Sequence, residues 1–447
     1  MRHPSPLCCT IPCDSTSPRP DISCTGRCVP SWPDWPARSS KASDCKDLWI
    51  MMTGHPLASE WDLDPACVYL NHGSFGPSPR PVREAREAWS RRLERQPMRH
   101  FCREMEIELD RAGEVLARLL HTQPDRLVLL DNATFAMNVV AASTPLKPGD
   151  EVLLTDHEYG AVRNIWQARC RAAGARTASV SLPFPPRPTE TTAAIAAALK
   201  PETKLLVVSH VTSATACVLP LREICQAARQ RSVPVCVDGP HALAMLDLQL
   251  DSLGCDYYCG SGHKWLCGPF GSGFLWVHPR RRDAIQTPIV SWGGSIAGRP
   301  ASWKDSLQWL GTRDPAPLLA LADAVRFFTP DVLAEYRRWS HALISAARQR
   351  LLQIPDVTPF CTPAETDFVS MAAVELPQTA GWKPGYHGHP DSLQIQLRDR
   401  HGIEVLTGSW SGRRFLRLSA HLYNTPQQLE LCTAAVAEIL QQERRDR

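Results

Sequence analysis

The sequence predicts an α/β fold: a mostly parallel sheet with helices on both faces, followed by a smaller C-terminal α/β domain. From Trp61 onward, short apolar runs alternate with amphipathic stretches, the pattern of parallel strands joined by crossover helices. Past Asp314 the texture shifts to helices and then to mixed elements. With 447 residues, 43% hydrophobic and 21% charged, the chain is long enough to bury two cores.

Residues 1–55 are rich in Pro, Ser and Cys, lack hydrophobic periodicity and carry no apolar h-region, so they read as a disordered extension rather than a secretory signal. Asp14, Asp21, Asp34, Asp44 and Asp47 argue against an organelle transit peptide, and Met51 and Met52 stand where the texture changes. Residues 56–86 read as an N-terminal segment packing on the small domain, 87–325 as the large domain and 326–447 as the small one. Val82, Ala85, Trp89 and Leu93 mark one helical face, and Met105, Leu109, Ala112, Leu116 and Leu119 another. Strands are expected at 127–130, 151–154, 205–209, 233–237 and 273–277, with helices at 161–173, 191–199 and 221–231. A helix through Phe328 and a long one over 331–352 follow.

A formal charge of +3 without like-charge blocks argues against nucleic acid as a partner, and no apolar run reaches 18 residues, so no membrane helix is expected. The expected partner is a small molecule. Of 17 cysteines, Cys8, Cys9, Cys13, Cys24, Cys28 and Cys45 fall in the first fifty residues, and the rest are scattered among apolar neighbours. That usage fits reduced thiols in a cytoplasmic protein better than a disulfide framework.

Asp238 ends the apolar run 233–237, at the carboxyl end of an expected buried strand, where open α/β sheets bind ligands. Its plainer alternative is a cap on the turn through Gly239 and Pro240. Lys264 lies in the glycine-rich stretch 260–273, flanked by Tyr258, Trp265, Leu266 and Phe270; desolvation there favours a neutral, nucleophilic amine. A buried amine with a buried carboxylate suits pyridoxal 5'-phosphate, whose aldehyde condenses with the amine and whose pyridine nitrogen the carboxylate keeps protonated. Asn132, Ala133 and Thr134 link a strand to a helix and offer amides and a hydroxyl to a phosphate, or simply cap the helix. Ser261 and His263 add donors beside Lys264.

Other residues are read two ways. His72, in a glycine-containing loop, either faces a substrate or is satisfied by loop hydrogen bonds, and Trp292 to Ser295 form a turn or a segment over the pocket. Cys255, Cys259, His263 and Cys267 recur every four residues, but Gly260, Gly262, Gly268, Pro269 and Gly271 break any helix that would align them on zinc, and no metal is expected.

Seven motifs in order resemble class V aminotransferases, most nearly an isopenicillin N epimerase-like branch. They are Tyr69-Leu-Asn-His-Gly-Ser-Phe-Gly76, Asp156-His-Glu-Tyr-Gly160, His210-Val-Thr-Ser213, Val237-Asp-Gly-Pro-His241, Ser261-Gly-His-Lys-Trp265, Trp309-Leu-Gly-Thr-Arg-Asp314 and Arg417-Leu-Ser-Ala-His-Leu-Tyr-Asn-Thr425. The resemblance implies a fold type I pyridoxal-phosphate enzyme, a homodimer with active sites at its interface, in which residues 87–325 bind the cofactor. It implies that Lys264 holds the cofactor aldehyde, Asp238 contacts the pyridine nitrogen and His241 the phenolic oxygen. Ala133, Thr134, Ser261 and His263 would take the phosphate, Tyr159 would stack on the ring, and Thr312 would reach a neighbouring subunit's phosphate. Arg417 would fork onto the substrate carboxylate. Related cysteine desulfurases place His where Tyr159 stands and Asn where Ser213 stands, so the cofactor contacts of these two positions differ.

Residues 398–416 contain no Cys, where desulfurases carry the thiol that accepts sulfur, so persulfide chemistry is disfavoured. The leading expectation is epimerase-like chemistry at the α-carbon of an amino acid or amino-acid conjugate, with Tyr159, His72 and His241 as candidates for a second proton donor. A C–S lyase or an aminotransferase on the same scaffold is the alternative. A binding protein without turnover is opposed by the intact Lys264, Asp238 and Arg417.

Overall fold

The computed structural model describes residues 54–300, 302–360, 368–378, 382–383 and 390–445. The extension expected to be disordered lies outside these residues except for its last two positions. There the boundary moves: His55 is buried, and its side chain caps the 3-10 helix Pro56–Glu60 by accepting from Leu57 N at 3.1 Å.

A seven-stranded sheet forms the larger layer. Its strands in chain order are β2 (Leu127–Leu130), β3 (Glu151–Thr155), β4 (Arg176–Val180), β5 (Thr203–Ser209), β6 (Val235–Asp238), β7 (Tyr257–Ser261) and β8 (Gly273–Val277), numbered after a short β1 (Val68–Tyr69). Their order across the sheet is β2-β8-β7-β6-β5-β3-β4, with β8 antiparallel to both neighbours and the other contacts parallel. β2, β3, β6, β7 and β8 are buried along their whole length, as a sheet covered on both faces requires. The carboxyl ends of β2, β3, β5, β6 and β7 therefore share one edge, and each feeds a segment of the site described below.

Two strands escape sequence pattern. β4 is an edge strand whose Arg-Thr-Ala-Ser-Val residues are half-exposed and carry no apolar run. β7 contains Gly260, which resembles a loop residue but is demanded by packing, since a Cβ there would sit 2.2 Å from the Phe274 ring. Gly273 is pinched in the same way, its virtual Cβ lying 2.8 Å from Asn132 Cα and 2.6 Å from Gly260 O, so β8 starts hard against the helix that follows β2.

The C-terminal part builds an antiparallel sheet of order β12-β13-β10-β9, from β9 (Thr358–Pro359), β10 (Met371–Leu376), β12 (Leu406–Trp410) and β13 (Arg413–Ser419). Helices Pro330–Leu351 and Pro426–Arg445 pack with it, the first burying Leu333, Tyr336, Leu343, Ile344, Ala347 and Leu351 along one stripe. β1 pairs in parallel with β11 (Ile403–Glu404), and Asn71 bridges to Ser419, which lays the loop 71–76 beside β13. No helix among the described residues is long and apolar enough to cross a membrane.

Candidate active site

Asp238 and Lys264 approach the shared sheet edge from adjacent strands, at the end of β6 and three residues past β7. Asp238 is 9% exposed, and its carboxylate accepts no hydrogen bond and pairs with no cation among the described residues. Burial raises its pKa to about 6, against the opposing pull of Lys264. Lys264 is driven the other way, to about 7, by burial and then by the Arg417 charge. Its Nζ lies 3.0 Å from His241 Nε2, and Trp265 Nε1 lies 3.3 Å from His241 Nδ1. An indole N–H only donates, so Nδ1 is the bare nitrogen of the neutral ring and Nε2–H donates to Lys264. Lys264 is thereby held as a free amine with its lone pair engaged by His241.

At the other end of the site, helix Ala133–Ser143 begins after β2, with Asn132 Oδ1 capping Phe135 N at 2.9 Å. Ala133 N donates to Ser261 Oγ at 3.1 Å, tying the helix start to the segment that carries Lys264. Thr134 is exposed in the first turn, with its hydroxyl unpartnered among the described residues. His263 Nδ1 donates to Ser272 O at 3.3 Å, and burial lowers the ring's pKa to about 4. It therefore offers Nε2–H to an anion only when that anion itself favours the imidazolium. Thr312 is exposed, next to Arg313, whose guanidinium pairs with Asp131 of the same chain.

Arg417, in β13, is 1% exposed and pairs with no carboxylate among the described residues. Its Nη1 donates to Ser213 O at 2.5 Å and its Nη2 to Ser74 Oγ at 3.1 Å, while Nε has no partner. Burial lowers even this guanidinium, to about 10. Tyr159 caps helix Gly160–Ala173 in sequence position, is 45% exposed and interacts electrostatically with Arg417. Tyr159 and Ser213 line a cavity of about 440 Å³ that runs on to Arg163, Gln394, Ser409, Trp410 and Phe415.

His72 does not face this space. It is fully buried, with Nδ1 2.8 Å from Tyr423 Oη and Nε2 3.1 Å from Lys264 O, so neither nitrogen is left for a substrate. Its partners come from Tyr423 and the Lys264 segment rather than from its own loop. Nor do Cys255, Cys259, His263 and Cys267 converge: the metal-type grouping among the described residues is His72, Cys267 and His421. Sequence reasoning missed Ser74, Trp265 as the partner of His241, and Glu158. Glu158 is buried, accepts from Thr155 Oγ1 (2.6 Å), Ser209 N (3.1 Å) and Ser209 Oγ (2.7 Å), and anchors the turn that presents Tyr159.

The donor set suits a planar aldehyde bearing a cationic ring nitrogen and a phosphate. A neutral buried amine meets the first need, a buried carboxylate without a donor the second and an open helix start the third. The family model for aminotransferase class-V matches residues 68–431. Isopenicillin N epimerase of Streptomyces clavuligerus is 36% identical over 388 residues, covering 82% of this chain and 94% of the relative. Its counterpart from Amycolatopsis lactamdurans is 37% identical, covering 84% and 96%. A probable chloroplastic L-cysteine desulfhydrase of Arabidopsis thaliana is 25% identical, covering 81% of each. Among solved structures, a C-DES mutant with glycine covalently linked to its PLP cofactor superposes with a TM-score of 0.72 at 23% identity, covering 83% of this chain and 96% of that one. The chain belongs to the class V aminotransferase family and is a pyridoxal-phosphate-dependent enzyme of α/β fold type I.

Proposed function

We propose that the protein breaks the Cα–H bond of an amino acid or amino-acid conjugate and returns the proton to the opposite face, an epimerisation. One observation carries this reading: Arg417 is a buried cation without an anion, in electrostatic reach of Lys264, as recognition of an α-carboxylate beside the reacting carbon requires. Bound pyridoxal phosphate supplies an aldehyde for amines and a protonated ring that accepts the electron pair left at Cα. Lys264 would hold that aldehyde and, with burial lowering its amine to about 7, would serve as the base for the α-proton. His241, which meets the Lys264 amine, would be placed for the cofactor's phenolic oxygen. Asp238 would keep the ring nitrogen protonated. Ala133, Thr134, Ser261 and His263 would hold the phosphate, and Thr312 would serve the partner subunit's.

Tyr159 is the proposed donor for the second face. Of the three candidates, His72 has both nitrogens committed and His241 is bonded to Lys264 itself, whereas the Tyr159 hydroxyl is unpartnered among the described residues. The cavity beyond Tyr159 and Ser213 is assigned to the substrate side chain.

A homodimer is part of the proposal, supported by Val290 at 91% and Trp292 at 85% exposure, side chains that a second copy would cover. Sedimentation equilibrium should return twice the chain mass, and Trp292→Asp should lower it toward one. A reducing, cytoplasmic setting is supported by ten free cysteines among the described residues, eight of them buried. The division at residues 86 and 325 stands with this reading, the first sheet serving the cofactor and the second the substrate carboxylate.

The test is incubation of the holoenzyme with an amino-acid panel in heavy water, followed by mass and chiral analysis. Deuterated, inverted product is expected, and Tyr159→Phe should keep exchanging the α-proton while inversion falls about 10²-fold. Pyruvate or keto acid without inversion would assign elimination or transamination instead.

A further inference from the structure

Three successive main-chain carbonyls around Lys264 are held by groups from the two ends of the described chain. His263 O accepts from Gly76 N at 3.1 Å. Lys264 O accepts from His72 Nε2 at 3.1 Å, and Trp265 O from His421 Nε2 at 3.2 Å. The two imidazoles are completely buried and stacked, with centroids 4.3 Å apart, and His421 stacks in turn on Tyr336 at 4.3 Å. Gly76 belongs to the same joint: a Cβ there would lie 2.4 Å from Lys264 O and 2.7 Å from His72 Nε2, so any side chain would push them apart.

A carbonyl only accepts, so each Nε2 carries a hydrogen, and in a neutral ring Nδ1 is then bare. His72 Nδ1 accepts from Tyr423 Oη at 2.8 Å; His421 Nδ1 has no partner among the described residues. Burial lowers the pKa of both rings, His72 to about 3, which keeps them neutral. Cys267 Sγ lies 3.5 Å from His421 Nε2 and 3.8 Å from His72 Nε2, which brings three metal-type ligands together. Yet nitrogens that donate to carbonyls have no lone pair for an ion, and stacked rings point their Nε2 atoms side by side rather than at one centre. The cluster is built to donate.

We infer that His72 and His421 are positioning residues for the reaction: as Nε2–H tautomers they fix the backbone at Lys264 and Trp265, and through it the meeting of Lys264 Nζ with His241. Trp265 joins the two contacts. Its carbonyl is held by His421, and its indole N–H fixes the His241 tautomer that faces the amine. Loosening the carbonyl turns the indole, frees the His241 ring to change tautomer and costs alignment rather than substrate binding.

This inference rests on Lys264 being the cofactor lysine, so the experiment separates the two. Holoenzymes of His72→Leu, His421→Leu, His72→Gln, His421→Gln and Lys264→Ala are compared by α-proton exchange and by the pH at which the visible cofactor band titrates. The Leu variants should lose about 10- to 100-fold in kcat with KM within about threefold and a displaced titration midpoint. Gln, which restores an N–H near the ε position, should recover most of both. In wild-type holoenzyme labelled with ¹⁵N-histidine, long-range proton–nitrogen spectra at pH 7 should show the Nε2–H tautomer at both positions, a readout independent of whether the Leu variants fold. Leu variants with unchanged kcat and midpoint, or an Nδ1–H tautomer or imidazolium at either site, overturn the positioning role. A Lys264→Ala protein that keeps the visible band defeats the underlying reading instead.

Discussion

Lys264→Ala is expected to lose the visible cofactor band and turnover together, by about 10⁴-fold or more, because one amine serves as the cofactor's anchor and as the base. The protein should still fold, since the removed side chain contributes an isolated amine next to His241 rather than core packing. Wild-type apoprotein provides the companion measurement. Burial lowers the Lys264 amine to about 7, so it is protonated and unreactive below that pH and free above it. The rate at which apoprotein captures pyridoxal phosphate should therefore rise as pH passes upward through about 7 and then level off. A surface lysine, with its amine near the usual 10.5, would still be gaining rate at pH 9. A Lys264→Ala protein with a normal visible band, or a capture rate flat between pH 6 and 8, would assign the chemistry to another residue.

The parts of the fold legible in sequence are those in which burial is continuous. Strands β2, β3, β5, β6 and β8 announce themselves as apolar runs because the parallel sheet is covered on both faces. β4 is silent because an edge strand needs no apolar run, and β7 because Gly260 and Ser261 answer to the Phe274 ring and to Ala133 N rather than to strand propensity. The site divides in the same way. Asp238 and Lys264 were legible because they break apolar context, an expensive arrangement unless chemistry uses it. His72 was ambiguous because its partners, Tyr423 and the Lys264 carbonyl, lie 351 and 192 residues away. Ser74 and His421 have the same difficulty: a main-chain acceptor or a distant guanidinium leaves no mark on local pattern.

Asp238→Asn should separate activity from stability. The substitution keeps the shape but removes the charge that holds the ring nitrogen protonated, and the cost is expected in kcat at about 10²- to 10³-fold, with the visible band retained through Lys264. Stability of the apoprotein should move the other way. Burial raises the folded-state pKa of Asp238 from 3.8 to about 6, so between those values the folded chain binds a proton that the unfolded chain has released. Stability from this group therefore falls as pH rises from about 4 to about 6 and stays reduced above, where the carboxylate is ionised without a partner. Asparagine carries no such cost. Apo Asp238→Asn should thus melt above apo wild type at pH 7, and the difference should vanish as pH falls below about 4. Adding pyridoxal phosphate should stabilise wild type more than the variant, because the cationic ring nitrogen supplies the donor this carboxylate lacks. Equal melting of the two apoproteins across pH 4–8, together with equal gains from the cofactor, would mean that Asp238 is solvated or paired in solution and does not face the ring.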